Sequence, residues 1–92
     1  MRERDIERKL VVETVRRRGV ALKFVSPGCV GAPDRIVMLP DGKIGFVELK
    51  TPGKKPRMIQ VRRIQQMRKM GFKVFVIDGV EQIGSVLDAI GE

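Results

Sequence analysis

Apolar residues at helical spacing open the chain. Ile6, Leu10, Val11 and Val15 recur through a charged stretch filled with strong helix formers, which predicts a helix over residues 2–18 stopped by Gly19. The pattern then turns β-like: "VALKFV" at 20–25 reads as a strand ended by Ser26-Pro27-Gly28, and a loop runs on through Gly31. Two further apolar runs, 34–39 and 43–50, flank "PDG" and read as a hairpin, followed by the basic loop "TPGKKP". A second amphipathic stretch predicts a helix over 56–70, with Pro56 at its first position and Gly71 as its stop. The continuous apolar run "KVFVI" at 73–77, bounded by Asp78-Gly79, fits a buried strand, and residues 80–90 close the chain as a short helix. The order is αβββαβα. A last strand that follows a helix favours a parallel crossover onto the hairpin, hence an α/β fold with a mixed sheet flanked by helices.

Length and charge narrow the class. Ninety-two residues predict a single domain over 1–92 with a modest core, and a core of that size favours self-association. Nineteen Lys and Arg against eleven Asp and Glu give a net charge of +8, which points to a polyanionic partner, nucleic acid before membrane. The chain has no Trp or Tyr to anchor at a membrane surface and no apolar stretch near the ~18 residues of a span. The charged N-terminus does not resemble a signal peptide, and the lone Cys29 does not suggest an oxidising compartment, so a cytoplasmic setting is expected.

The hairpin carries the unusual chemistry. A three-residue loop of Pro40, Asp41 and Gly42, read as a type I turn closed by a glycine bulge, pairs Leu39 with Lys43. Counting back by twos places Asp34 opposite Glu48 on one face, and strand periodicity puts Lys50 on that face too. Two opposed carboxylates repel unless a positive charge lies between them, and hard carboxylate oxygens are the ligands that Mg²⁺ prefers. The alternative is an edge hairpin with solvated acids. It is weakened because "IGFVELK" is too apolar on both faces for an exposed edge. Glu7 lies beside the apolar stripe of the first helix and offers a third carboxylate. Gln60 shares the packed face of the second helix with Ile64 and Met67, where a polar side chain must find partners.

Together these residues resemble a known family. "PD" at 33–34 and "ELK" at 48–50 on consecutive strands resemble the PD-(D/E)XK nuclease superfamily. With Glu7 in a leading helix, "GAPDR" at 31–35, "FVELK" at 46–50 and Gln60 before "GFKVFVI", the chain resembles the VRR-NUC (virus-type replication-repair nuclease) family from Glu7 to Ile77. The resemblance implies a restriction-endonuclease-like core. It also implies that Asp34, Glu48 and the Leu49 carbonyl hold Mg²⁺ or Mn²⁺, with Glu7 a ligand directly or through water. Lys50 would orient the attacking water, and Gln60 would support that arrangement. The accessory DNA-binding modules of larger members are not seen, so the chain looks like the short phage-type members. Those resemble Holliday junction resolvases and act as homodimers.

The chemistry is consistent with this. A carboxylate-held metal lowers the pKa of its water and polarises a phosphoryl group, and Lys50 is a compact cation suited to both water and phosphate. No His is present, and a single Cys is too few for a Cys/His zinc site. Lys54, Lys55 and Arg57 flank the site strand, and with Arg35 they are the expected DNA contacts. Arg16, Arg17 and Arg18 close the first helix, where cations also suit the helix dipole. The expected function is a Mg²⁺/Mn²⁺-dependent, structure-selective DNA endonuclease, a homodimer acting on branched DNA such as four-way junctions. A flap- or fork-processing nuclease, or a non-catalytic basic DNA-binding protein, is the alternative. The Asp34–Glu48–Lys50 set speaks against a mere binder.

Overall fold

The computed structural model describes residues 1–92. Its elements are α1 (Glu3–Arg16), β1 (Val20–Lys23), β2 (Arg35–Leu39), β3 (Lys43–Leu49), α2 (Met58–Lys69), β4 (Val74–Ile77) and α3 (Ile83–Gly91), the last entered through a 3-10 turn at Val80–Gln82. The αβββαβα order matches the sequence pattern. The strands lie in the order β1-β2-β3-β4, with β1–β2 and β2–β3 antiparallel and β3–β4 parallel across the α2 crossover.

Strand alternation sends the apolar residues to two cores. On one face Val37, Val47, Leu49 and Ile77 pack with Ile6 and Leu10 of α1 and with Ile83, Leu87 and Ile90 of α3. On the other, Phe46 and Val74 pack with Ile64 of α2, bordered by Phe24, Ile36 and Met67. The α3 contact is close. A Cβ at Gly45 would run into the Ile90 side chain, so β3 carries glycine where α3 crosses it.

Several boundaries differ from the sequence pattern for identifiable reasons. The first helix ends at Arg16, not residue 18, and its left-handed closing residue is Arg18 (φ 65°) rather than Gly19. Gly19 N–H bonds to the Thr14 carbonyl at 3.0 Å and Arg18 N–H to Val15 at 2.9 Å, a Schellman closure set one residue early. Gly19 is small for another reason: a Cβ there would collide with the Met38 carbonyl oxygen. The buried stripe of α1 is Ile6, Leu10 and Thr14, whereas Val15 is exposed. Thr14 tolerates burial because its hydroxyl donates to the Leu10 carbonyl at 2.7 Å.

The first strand stops at Lys23, although Phe24 N–H still bonds to the Asp34 carbonyl at 2.8 Å. Pro56 precedes the second helix, which is capped at Arg57 and ends at Lys69. Gly71 (φ 96°) closes α2 as expected, with Phe72 N–H on the Met67 carbonyl.

The hairpin keeps the expected register through a different turn. Leu39 pairs with Lys43 and Arg35 with Val47. Asp41 (φ 68°) and Gly42 (φ 71°) are both left-handed, so the type I turn with a glycine bulge does not form. Consecutive positive φ values at Asp-Gly follow the right-handed twist of the strands, and Asp accepts that conformation.

Candidate active site

The register that pairs Arg35 with Val47 carries the chain one step further to Asp34 beside Glu48. Both backbone and side chain hold Asp34 there. Its carbonyl accepts Phe24 N–H from β1, and its Oδ2 accepts Leu49 N–H at 2.9 Å from β3. The approach to Asp34 is fixed by Pro33, which is fully buried, and by Gly31 (φ 88°). A Cβ at Gly31 would lie 2.8 Å from the Ile59 carbonyl oxygen, so the loop that delivers Asp34 leans directly on the first turn of α2.

Glu48 is the centre of the site. It is 1% exposed, on the sheet face that carries Phe46. Its Oε2 accepts from Gln60 Nε2 at 2.6 Å and lies 3.0 Å from Lys50 Nζ. Its Oε1 is buried and has no hydrogen-bond partner. Burial pushes the Glu48 carboxyl above the ordinary value of 4.5, the Lys50 hydrogen bond pulls it back, and the Asp34 charge raises it again. A buried acid with one free oxygen, facing a second acid, is short of positive charge.

Gln60 answers the question its packed position raised. It is 7% exposed, and its Oε1 accepts Arg57 N–H at 2.8 Å, which caps the helix that carries it. One amide therefore fixes the start of α2 to Glu48.

Glu7 and Arg35 sit elsewhere. Arg35 pairs with Val47, so it shares the sheet face that packs on α1, opposite to Glu48. There its Nε donates to Glu7 Oε2 at 2.9 Å and its Nη1 to the Ala21 carbonyl at 3.0 Å. The structure thus brings Asp34, Glu48, Lys50 and Gln60 together and holds Glu7 in an ion pair with the residue next to Asp34. No group of three or more acidic, His or Cys side chains forms a metal cluster. The register already turns Arg35 away from the face of Asp34; its pair with Glu7 was missed in the sequence because it depends on α1 packing against that opposite face. Lys54, Lys55 and Arg57 are exposed on the loop between β3 and α2.

No family model matches the sequence. A solved structure described as "VRR_NUC domain" superposes with a TM-score of 0.86 at 32% identity, covering 94% of each chain. A phage protein named "Putative nuclease p44", from Acyrthosiphon pisum secondary endosymbiont phage 1, is 47% identical over 90 residues, 98% of this chain and 96% of its own length. The chain belongs to the VRR-NUC family.

As a VRR-NUC chain it has the restriction-endonuclease-like arrangement that the motif order implied: acids on consecutive antiparallel strands, a lysine two residues beyond the second, and a glutamine from the crossover helix. The donor set also suits a hard divalent cation. It consists of carboxylates, one with an orphaned oxygen, and contains no thiolate or imidazole.

Proposed function

We propose that the chain is a Mg²⁺- or Mn²⁺-dependent DNA endonuclease acting on branched DNA as a homodimer. The observation that carries this is the partnerless, buried Glu48 Oε1 beside Asp34, with Lys50 on the other oxygen. Asp34, Glu48 and the Leu49 carbonyl would hold the ion, which when bound supplies positive charge to a phosphoryl group and acidifies a water. Glu7 enters through Arg35, which it holds beside Asp34, and not as a third direct ligand.

The chain's own residues divide the remaining work. Lys50 is 18% exposed at its side chain, enough for Nζ to reach a phosphate while Glu48 fixes its position. There it offsets the negative charge that grows on the phosphoryl oxygens as water adds and the P–O ester bond breaks. Gln60 holds Glu48 in the rotamer that leaves Oε1 free. Lys54, Lys55 and Arg57, on the loop that follows Lys50, set the phosphate backbone over the site.

The homodimer is supported by an uncovered part of the sheet. On the α2 side, Val20, Leu22, Met38 and Ile44 lie together by register, and all are exposed because α2 covers only the β3–β4 end. Phe72, also exposed, stacks edge-on against Phe46 at the border of this patch. No charged side chain interrupts it on these strands, so it does not suit DNA. A second copy of the same face suits it, and a closed two-fold pair supplies the two active sites that symmetric junction cleavage needs.

The test is cleavage of a synthetic four-way junction, a flap and a fork, with Mg²⁺ and with EDTA. Paired cuts at the junction that need Mg²⁺ are expected, and Glu48→Gln should bind the junction without cutting it. Lys50→Ala should lose about 10²- to 10³-fold in turnover with its metal affinity retained. Cleavage of flaps with junctions ignored would move the substrate to flap or fork processing. Cleavage by Glu48→Gln at the wild-type rate would remove the site.

A further inference from the structure

The positive charge of this chain is confined to one stretch. Residues 49–77 hold nine of the nineteen basic residues and none of the eleven acids, so this segment carries +9 and the rest of the chain −1. An ordinary solvated helix mixes signs, as α1 does, where Glu13 pairs with both Lys9 and Arg16. No ion pair reaches any residue between Thr51 and Ile77. Such a concentration of like charge opposes folding unless a polyanion offsets it.

Not all of these cations are available. Arg68 donates through Nε and Nη2 to the Val74 carbonyl at 3.0 and 2.7 Å, and Lys73 Nζ donates to the Ala89 carbonyl at 2.7 Å, so both tie the fold together. Arg62 and Lys69 have no partner of this kind. With Gln66 between them they form one stripe at helical spacing, on the side of α2 away from Gln60, Ile64 and Met67. A shallow cleft lined by Arg62, Gln65, Gln66, Arg68 and Lys69 runs along that side. The helix that carries this side is capped at Arg57, which Gln60 ties to Glu48. Arg62 to Lys69 spans about 10 Å of helix, roughly three base-pair steps of a duplex.

We propose that the outer face of α2, through Arg62, Gln66 and Lys69, is a phosphate track that carries a duplex arm leaving the active site. The proposal rests on the reading of the site as one that acts on DNA. The track reads no sequence: it offers two cations and neutral amides, which position a backbone and do not discriminate bases. It adds a second set of contacts to those of the Lys54–Arg57 loop, so a substrate is gripped both at the scissile phosphate and along one arm.

The test is the salt dependence of binding to a four-way junction and to a linear duplex, by fluorescence anisotropy in EDTA. The wild type is compared with Arg62→Ala/Lys69→Ala and with Arg18→Gly/Lys43→Ala. The second pair removes the same charge at the hairpin end of the sheet, and glycine suits the left-handed Arg18. The α2 pair is expected to flatten the slope of log K against log salt by about one for each contact removed, on both DNAs, with the control pair near the wild type. The exchange Arg62→Lys/Lys69→Arg should restore the slope, which separates contact from misfolding. Equal losses in both alanine and control pairs would reduce the effect to net charge and overturn the track, as would an unchanged slope in the α2 pair. In either case wild-type binding and cleavage would leave the nuclease reading standing, whereas a wild type that binds no DNA would overturn that reading too.

Discussion

The side-chain amide of Gln60 donates to Glu48 Oε2 at 2.6 Å while accepting the Arg57 N–H that starts its own helix. The same residue is therefore a helix cap and the clamp on a buried acid. Gln60→Ala removes both roles, and a buried oxygen or cap left without a partner costs about 1–3 kcal/mol. Denaturant unfolding should show a loss of that size. Because Gln60 also holds Glu48 in place, cleavage should fall about 10- to 100-fold, the usual effect of removing a group that orients a metal-binding residue. Full activity in a destabilised Gln60→Ala would reduce Gln60 to a cap.

Glu48 gives the metal-free fold a distinctive pH dependence. Its carboxyl is raised above 4.5 mainly by burial, so the folded chain holds a proton that the unfolded chain releases. Stability contributed by this group is complete below 4.5 and is lost as pH rises through the raised value. Other groups also titrate as pH changes, so the useful quantity is a difference. The melting temperature of Glu48→Gln minus that of the wild type, in EDTA, should increase from pH 4.5 upward and then level off. A difference that is flat with pH would mean that Glu48 titrates as an ordinary surface acid.

A divalent ion should reverse that penalty. Mn²⁺ at about 100 times its dissociation constant adds about 2.7 kcal/mol to a fold that binds it only when native. The wild type should therefore melt higher in Mn²⁺, and Glu48→Gln should not. Glu7→Gln separates two roles for the helix acid: it breaks the pair with Arg35 and should lower the melting temperature while leaving the Mn²⁺ titration unchanged. A fall of about ten-fold or more in metal affinity would instead make Glu7 a ligand.

The hairpin shows how much of this site could be read in the sequence. A three-residue loop between Leu39 and Lys43 sets the register whatever the turn type, so Asp34, Glu48 and Lys50 fell on one face although Asp41 turned out left-handed. The helices were legible in order and number for the same reason: periodicity survives errors of a residue or two at the ends. What could not be read depends on contacts between distant elements. Thr14 takes the core position expected for Val15 because the buried stripe of α1 runs through Ile6, Leu10 and Thr14, and its hydroxyl can bond within the helix. Arg35 was expected to face DNA, but Glu7 and the Ala21 carbonyl hold its guanidinium on the opposite side of the sheet. The orphaned Glu48 oxygen is visible only once Gln60 and Lys50 are both seen to take the other one.

The uncovered sheet face yields the last expectation. Leu22 is 47% exposed at the centre of the apolar patch, between Val20 and the β2 residues it pairs with. If two copies meet there, a buried Leu22 contributes about 1.5–3 kcal/mol in each copy, and a carboxylate in its place meets its own image across the two-fold axis. Leu22→Glu should therefore give a monomer by sedimentation at concentrations where the wild type is a dimer. The fold should survive, because Leu22 belongs to neither core cluster. Asp34 lies two residues beyond Ile36, the partner of Leu22, Glu48 is one strand further away, and both acids come from the same chain, so each monomer keeps a whole site and should still nick simple duplex substrates in Mn²⁺. Paired cleavage of a junction needs two sites at once and should be lost. A Leu22→Glu chain that remains dimeric would place the interface on another face, and one that is monomeric yet still cuts junctions in pairs would show that two separate chains can do the work of the dimer.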